Sequence, residues 1–158
     1  MLKKFVSSLL AILLLAGCAS GGSAASEKNP GFSAASTAQE IVKDLGLTDS
    51  MQELKQKNVV RMFFQGQEDA VTDCSVYRST DNGNSDTVGV FVTNDNAKVK
   101  EYLDAYLKDI KAQTETYFKE EVFKISNAVV EEKDGIVILV IAEDIEKART
   151  TARIFTNN

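Results

Sequence analysis

The fold is decided by the stretch Val129-Val130-Glu131-Glu132-Lys133-Asp134-Gly135-Ile136-Val137-Ile138-Leu139-Val140-Ile141-Ala142. Lys133-Asp134-Gly135 separates two runs rich in β-branched residues, 125–132 and 136–142. Asp-Gly tolerates the positive φ angles of a tight turn, so the two runs are expected to pair as an antiparallel hairpin. The second run has no polar residue before Glu143. A strand that is apolar on both sides lies inside its sheet, and this one is too short to cross a bilayer as a helix.

Working outward, Asp144 stands where a helix N-cap belongs. Beyond it Ile145, Ala148, Ala152 and Phe155 share one helical face. Upstream, residues 94–115 read as the clearest helix, capped by Asp95. Val99, Leu103, Tyr106, Ile110 and Thr114 recur there at alternating steps of four and three, with Lys98, Glu101, Lys108, Asp109 and Lys111 mostly on the other side. A break is expected at 116–121. Residues 74–78 and 86–93 read as strands joined by an Asp-, Asn- and Gly-rich loop at 79–85. Residues 59–64 read as a first strand closed by Gln65-Gly66, and 51–57 as a further turn or two of helix. Residues 37–45 read as a short helix capped by Ser33 or Ser36, with Ile41, Val42 and Leu45 apolar and Gly46 at the position after its C-cap. Strands and helices mix without strict alternation, and both β pairs are hairpins. The expected class is α+β, with an antiparallel or mixed sheet of about four to five strands and two or three helices packed on it.

This single domain is expected over residues 34–158. Residues 1–17 read as an export signal: Lys3 and Lys4 precede the apolar run 5–15, which as a helix spans roughly 16 Å, half a hydrocarbon core. The run ends in Leu15-Ala16-Gly17-Cys18, which resembles the lipobox of bacterial lipoproteins. That resemblance implies cleavage between Gly17 and Cys18 and a lipid graft on the Cys18 thiol, with acyl chains such as palmitate. Two chains anchor stably where one binds only marginally. Residues 18–33 then form the lipidated cysteine and a flexible Ala/Ser/Gly tether reaching roughly 20 Å, with Phe32 as its one bulky group.

The chain has 158 residues, 18 basic and 23 acidic. Without Lys3 and Lys4 the charge is about −7. That balance, with no basic cluster, argues against nucleic acid or anionic lipid as partner and favours a basic one. There is no histidine, which removes the commonest general base and metal ligand together. With Cys18 lipidated, Cys74 has no partner for an internal disulfide.

Several of these features together resemble a known family. They are the lipobox, the small-residue tether, the charged amphipathic helix, an aromatic near Tyr117, and Ile125-Ser126-Asn127-Ala128-Val129-Val130. The turn at Gly135, the apolar strand and the acidic pair Glu143-Asp144 complete the set. The chain resembles the small bacterial lipoproteins catalogued as domain of unknown function 4358. The likeness runs over 38–152, is strongest over 127–144, and departs over 65–86. It implies a lipid-anchored surface protein and transfers no catalytic residue.

The candidate chemistry is thin. Cys74 lacks a neighbouring base, and Asp73 beside it raises its pKa, so a strand cysteine packed in the core is the expected reading. Asp81 and Asp86, in Asp81-Asn82-Gly83-Asn84-Ser85-Asp86, are weak calcium ligands; the loop lacks the spacing and distal glutamate of an EF-hand, and a solvated turn is expected. Glu120-Glu121, Glu131-Glu132 and Glu143-Asp144 are paired carboxylates, but neighbours on a strand face opposite ways, so Glu131 and Glu132 do not share a proton. Tyr102, Tyr106, Tyr117, Phe118 and Phe123 read as core, with a ligand groove as the alternative. No catalytic residue, resident metal or cofactor is expected. The sequence points to a non-catalytic, lipid-anchored module on the extracytoplasmic face of the cell membrane that binds or assists an envelope protein. Alternatives are a single-lobed small-ligand carrier working with a transporter and a carboxylate-based hydrolase.

Overall fold

Ser33 opens the first helix. Its hydroxyl accepts a hydrogen bond from the Ser36 N–H at 3.3 Å and starts α1 (Ala34–Asp44). The computed structural model describes residues 31–157. Gly46, at φ +76°, ends α1: its N–H donates to the Lys43 carbonyl at 3.0 Å, and the Leu47 N–H to the Val42 carbonyl at 2.9 Å. This is the Schellman geometry that a glycine after the C-cap permits. Then come β1 (Met51–Glu53), α2 (Gln56–Phe63), a 3₁₀ turn (Glu68–Ala70), β2 (Asp73–Ser79) and β3 (Thr87–Val92). The chain continues through α3 (Asn96–Tyr117), α4 (Glu121–Ser126), β4 (Val129–Lys133), β5 (Ile136–Ile141) and α5 (Ile145–Thr156). Asp95 and Asp144 cap α3 and α5 by accepting from the Lys98 and Lys147 N–H groups at 3.0 and 2.9 Å.

The five strands form one antiparallel sheet in the order β1-β2-β3-β5-β4. The expected α+β class holds, and β5 lies in the interior, between β3 and β4. Asp134 and Gly135 both have positive φ, the pattern of a type I′ hairpin turn. Gly135 is fixed twice over, since a Cβ there would stand 2.8 Å from the Thr93 carbonyl oxygen.

Three stretches differ from the sequence reading. Residues 59–64 belong to α2 and the residue that caps it, not to a strand. Val59 and Phe63, four apart, both enter the core, so the apolar cluster has helical spacing despite its β-branched pair. The extra helical turn expected over 51–57 is instead β1 followed by the start of α2. The strand is made by its partner: Met51 pairs with Ser79, and the Leu54 N–H donates to the Val76 carbonyl at 2.8 Å. The strand expected from residue 125 begins only at Val129. Ile125 lies in the last turn of α4, where Asn127 caps the end by donating its Nδ2 to the Phe123 carbonyl at 2.9 Å. Among the described residues the sheet therefore carries five helices, the short α2 and α4 joining the three that periodicity marks.

Helices cover both faces. On the first face Val88, Val90 and Val92 of β3 stand opposite Val140, Ile138 and Ile136 of β5. They pack against Ala34, Ala38 and Ile41 of α1 and Ala148 and Ala152 of α5. Phe32 and Phe155 lie against the same cluster. On the second face Val76, Phe91, Val137 and Leu139 meet Phe63 of α2, Leu103 and Tyr106 of α3 and Ile125 of α4. Gly89 makes room here: a Cβ would come within 2.7 Å of Phe91 Cζ, so the buried Phe91 ring lies over the bare glycine.

The sheet edges are short or charged. β1 has three residues. On β4, Glu131 accepts from Arg153 of α5 at 2.9 Å and Glu132 from Lys100 of α3 at 2.6 Å. The two carboxylates thus point to opposite faces, as strand alternation dictates.

Candidate functional site

The second face is not closed along its whole length. At the end where the β2–β3 loop meets the junction of α3 and α4 lies a groove of about 630 Å³. Ile110, Thr114 and Tyr117 of α3 and Phe118, which ends that helix, form one wall. Loop residues Asn82 to Ser85 form the other, and Arg78 and Tyr106 line the groove between them. Tyr117 is 79% exposed and Phe118 40%. Phe118 leans on the loop: a Cβ on Gly83 would meet its Cε1 at 3.2 Å. Phe123 is exposed nearby in sequence but does not line the groove.

A partly buried ion network holds the loop wall to α4. Lys124 Nζ lies 2.7 Å from Glu121 Oε2 and 2.9 Å from Asp86 Oδ1, and donates to Asn84 Oδ1 at 3.0 Å. The same Glu121 oxygen accepts from the Ser85 N–H and hydroxyl at 2.8 and 2.7 Å. Burial pushes the Glu121 carboxyl up, but the bonds from Lys124 and Ser85 outweigh it and hold it below its ordinary pKa. Burial lowers Lys124, yet its bonds to Glu121 and Asp86 leave it raised. With both charges paired and bonded, the hairpin tip is fixed in place rather than waving in solvent.

The two calcium candidates of the loop, Asp81 and Asp86, are both engaged by protein groups. Asp86 faces an ammonium, and Asp81 Oδ1 turns inward to accept from the Gly83 N–H at 2.8 Å. Among the described residues no group of three or more acidic or cysteine side chains is placed to hold a metal. The paired carboxylates are dispersed as well. Glu121 sits in the network, Glu131 and Glu132 bond across opposite faces, and Asp144 caps α5. Cys74, half-buried on β2 opposite Phe91, is pushed up to about 11 by burial, then by Asp73 and Glu53. A thiol so protonated at neutral pH is a poor nucleophile.

The aromatics divide between both readings. Tyr102 meets Phe64 edge-on at 5.7 Å, as core. The Tyr106 ring packs on Phe63 with centroids 4.2 Å apart, and the residue also lines the groove. Tyr106 is 7% exposed and its hydroxyl has no hydrogen bond of sound geometry. Burial raises its pKa, opposed by the nearby Arg78 charge and by Thr87. Arg78 Nε is buried and likewise without a partner. The guanidinium makes no ion pair among the described residues. Sequence reasoning passed over Arg78. The signal was its register, two residues from the buried Val76 and so on the same side of β2.

The family is decided by a match that covers well over half of the chain. The sequence profile of a domain of unknown function, DUF4358, matches residues 43–142. The chain belongs to the DUF4358 family. The DUF4358 region takes in all five strands and α2 to α4, and so both walls of the groove; α5 lies beyond it. It also takes in 65–86, the stretch where the likeness was expected to depart. No curated protein and no solved structure matches the chain. The export signal, Gly17, Cys18 and the tether as far as residue 30 lie outside the described residues. Among the described residues no helix is long and apolar enough to cross a membrane.

Proposed function

We propose that this DUF4358 protein is a non-catalytic binding module, lipid-anchored through Cys18 to the extracytoplasmic face of the cell membrane. Its groove between the β2–β3 loop and the α3–α4 junction takes part of an envelope partner. The observation that carries the binding role is the pair of exposed aromatics, Tyr117 and Phe118, beside a loop wall that a partly buried ion network holds to α4. Exposed aromatics held on a rigid frame are what interfaces use as anchors. The anchor rests on Leu15-Ala16-Gly17-Cys18 after a short apolar run. The non-catalytic role rests on the dispersal of the carboxylates and the raised Cys74 thiol.

A photo-crosslinker placed at Tyr117 in intact cells is expected to capture one envelope protein, and the same probe at Glu40 on α1 is expected not to. Equal capture from both positions would end the groove reading. Cys18→Ser is expected to abolish incorporation of labelled fatty acid; unchanged labelling would end the lipid-anchor reading. A second reading, a small-ligand carrier, is favoured by the groove volume, which falls in the range of small-molecule sites. A carrier gains thermal stability with its ligand, whereas a partner module responds little to small molecules.

A further inference from the structure

We infer that the groove end of the domain faces away from the bilayer, and that it docks an apolar segment of a polypeptide standing in the aqueous envelope. The inference rests on the lipid anchor at Cys18 and on the groove as the binding surface. It adds the side from which the partner comes and the part of it that enters.

The orientation follows from where the elements begin and end. The chain enters α1 at Ala34, whose N–H donates to Asp73 Oδ2 at 3.4 Å, so the start of α1 lies at the start of β2. Asp73 pairs with Val92, the last residue of β3, and Val92 with Ile136, the first of β5. The Thr93 N–H donates to the Gly135 carbonyl at 2.8 Å, and Asp95 caps α3 shortly after. One end of the domain thus gathers the entry of the chain, the β4–β5 turn and the start of α3. The groove is at the other end. β2 runs toward it from Asp73 to Ser79, roughly 20 Å of strand. α3 runs toward it as well, 22 residues that span roughly 33 Å and finish at Tyr117.

Thirteen residue steps separate Cys18 from Gly31. A flexible stretch of that length averages roughly 20 Å from end to end, less than α3 spans. Bringing the groove down beside the anchor requires stretching that connection beyond its average; holding the groove outward does not. The net negative charge of the chain adds repulsion from an anionic bilayer.

The outward end is apolar, with charges of both signs. Three of the four large hydrophobic side chains exposed among the described residues, Tyr117, Phe118 and Phe123, fall within 117–123. In the groove Arg78 and Asp109 carry opposite charges, and Glu121 lies 2.7 Å from the Lys124 ammonium. Asn82 and Gln113 line it too. A side-chain amide offers donor and acceptor together, which is what the main chain of an incoming segment needs. The apolar side chains of that segment lie on Tyr117 and Phe118, as they do on aromatic anchors at protein interfaces.

The test uses α3 as a ruler. The chain has no tryptophan, so Ala97→Trp and Tyr117→Trp each introduce a single one. Both positions are exposed, and they lie roughly 30 Å apart along the helix. The lipidated full chain of each variant is added to phosphatidylcholine vesicles carrying dansyl-labelled headgroups, and energy transfer from tryptophan to dansyl is read. Transfer in Ala97→Trp is expected to be at least about threefold that in Tyr117→Trp. Equal transfer, or stronger transfer in Tyr117→Trp, overturns the orientation. Transfer in neither ends the anchor and the orientation with it. Fatty-acid labelling of Cys18 reads the anchor separately, so an orientation that fails while labelling persists leaves the anchor standing.

The occupant is read in intact cells with a photo-crosslinker at Gln113. A polypeptide adduct is expected, reduced at least about fivefold by Tyr117→Ser. Tyr117 is 79% exposed, so that change leaves the core intact. Adducts with phospholipid or glycan, no adduct, or capture indifferent to Tyr117→Ser overturns the inference. Capture from Tyr117 but not from Glu40 that persists while the energy transfer is reversed leaves the binding module standing and removes only its orientation.

Discussion

The two faces of the sheet are built from different materials. The first is aliphatic, with valines and isoleucines of the sheet meeting small alanines on α1 and α5. A groove of about 540 Å³ lined by Leu45, Leu47 and Ala142 lies at one end of this face. The second is aromatic, with Phe63, Phe64, Phe91 and Tyr106 interlocked at centroid distances of 4.2 to 6.5 Å. Tyr106, one of these rings, also lines the groove beside the β2–β3 loop. The unpartnered polar groups lining the groove, Arg78 and Tyr106, lie on this second face. The lesson is one of materials: branched aliphatics over alanine make one face, and interlocked rings make the other.

Four experiments break or sharpen that comparison, taken from the largest effect down. Phe91→Ala removes the ring that touches both Phe63 and Phe64 and should destabilise by about 4 kcal/mol in urea unfolding. A loss below about 1 kcal/mol would show that the second face is not packed around that ring. Lys124→Met should follow at about 3 kcal/mol, because it strands Asp86 and Glu121 near each other without their cation. It should also make the 82–85 loop exchange its amides faster; protection unchanged there would sever the network from the groove wall. Gly89→Ala should lower stability by about 2 kcal/mol, since the new methyl strikes the Phe91 ring and the backbone needs no glycine conformation at that point. If Phe91→Ala relieves most of that loss in the double variant, the clash is the cause.

The smallest effect is a change with pH. Glu121 is held below the 4.5 of a free carboxyl, so its contribution is complete above that value. It fades as pH falls toward the folded pKa. Glu121→Gln should therefore flatten the acid limb of a plot of unfolding midpoint against pH, bringing variant and parent together at the acid end. Lys124 is raised above 10.5, so its share is present below that value and is lost as pH climbs past it. Acid limbs that stay parallel in the two proteins would remove Glu121 from the network.

The elements that sequence made legible are those whose signal is local. Asp134-Gly135 dictates its turn, Asp95 and Asp144 cap the helices that follow them, and the unbroken apolar run of β5 places that strand inside the sheet. What was not legible depends on partners distant in the chain. β1 is a strand only because β2 lies beside it, and no propensity in Met51-Gln52-Glu53 requires it. Val59-Val60 in α2 shows the converse, a β-branched pair drawn into a helix because Val59 and Phe63 share one buried side. The groove was half visible. Tyr106, Tyr117 and Phe118 were marked as aromatics with a groove as one reading, but Arg78 was passed over, since one arginine in a strand carries no motif. Only the fold brings it to the groove and leaves its Nε without an acceptor.

The sheet ends on one side in three residues and on the other in a strand bearing Glu131, Glu132 and Lys133. Neither margin offers a long stretch of free main chain on which a foreign segment can lie down and extend the ladder. Under the proposed binding role, recruitment proceeds through side chains, and its specificity is written in residue identity rather than in backbone shape.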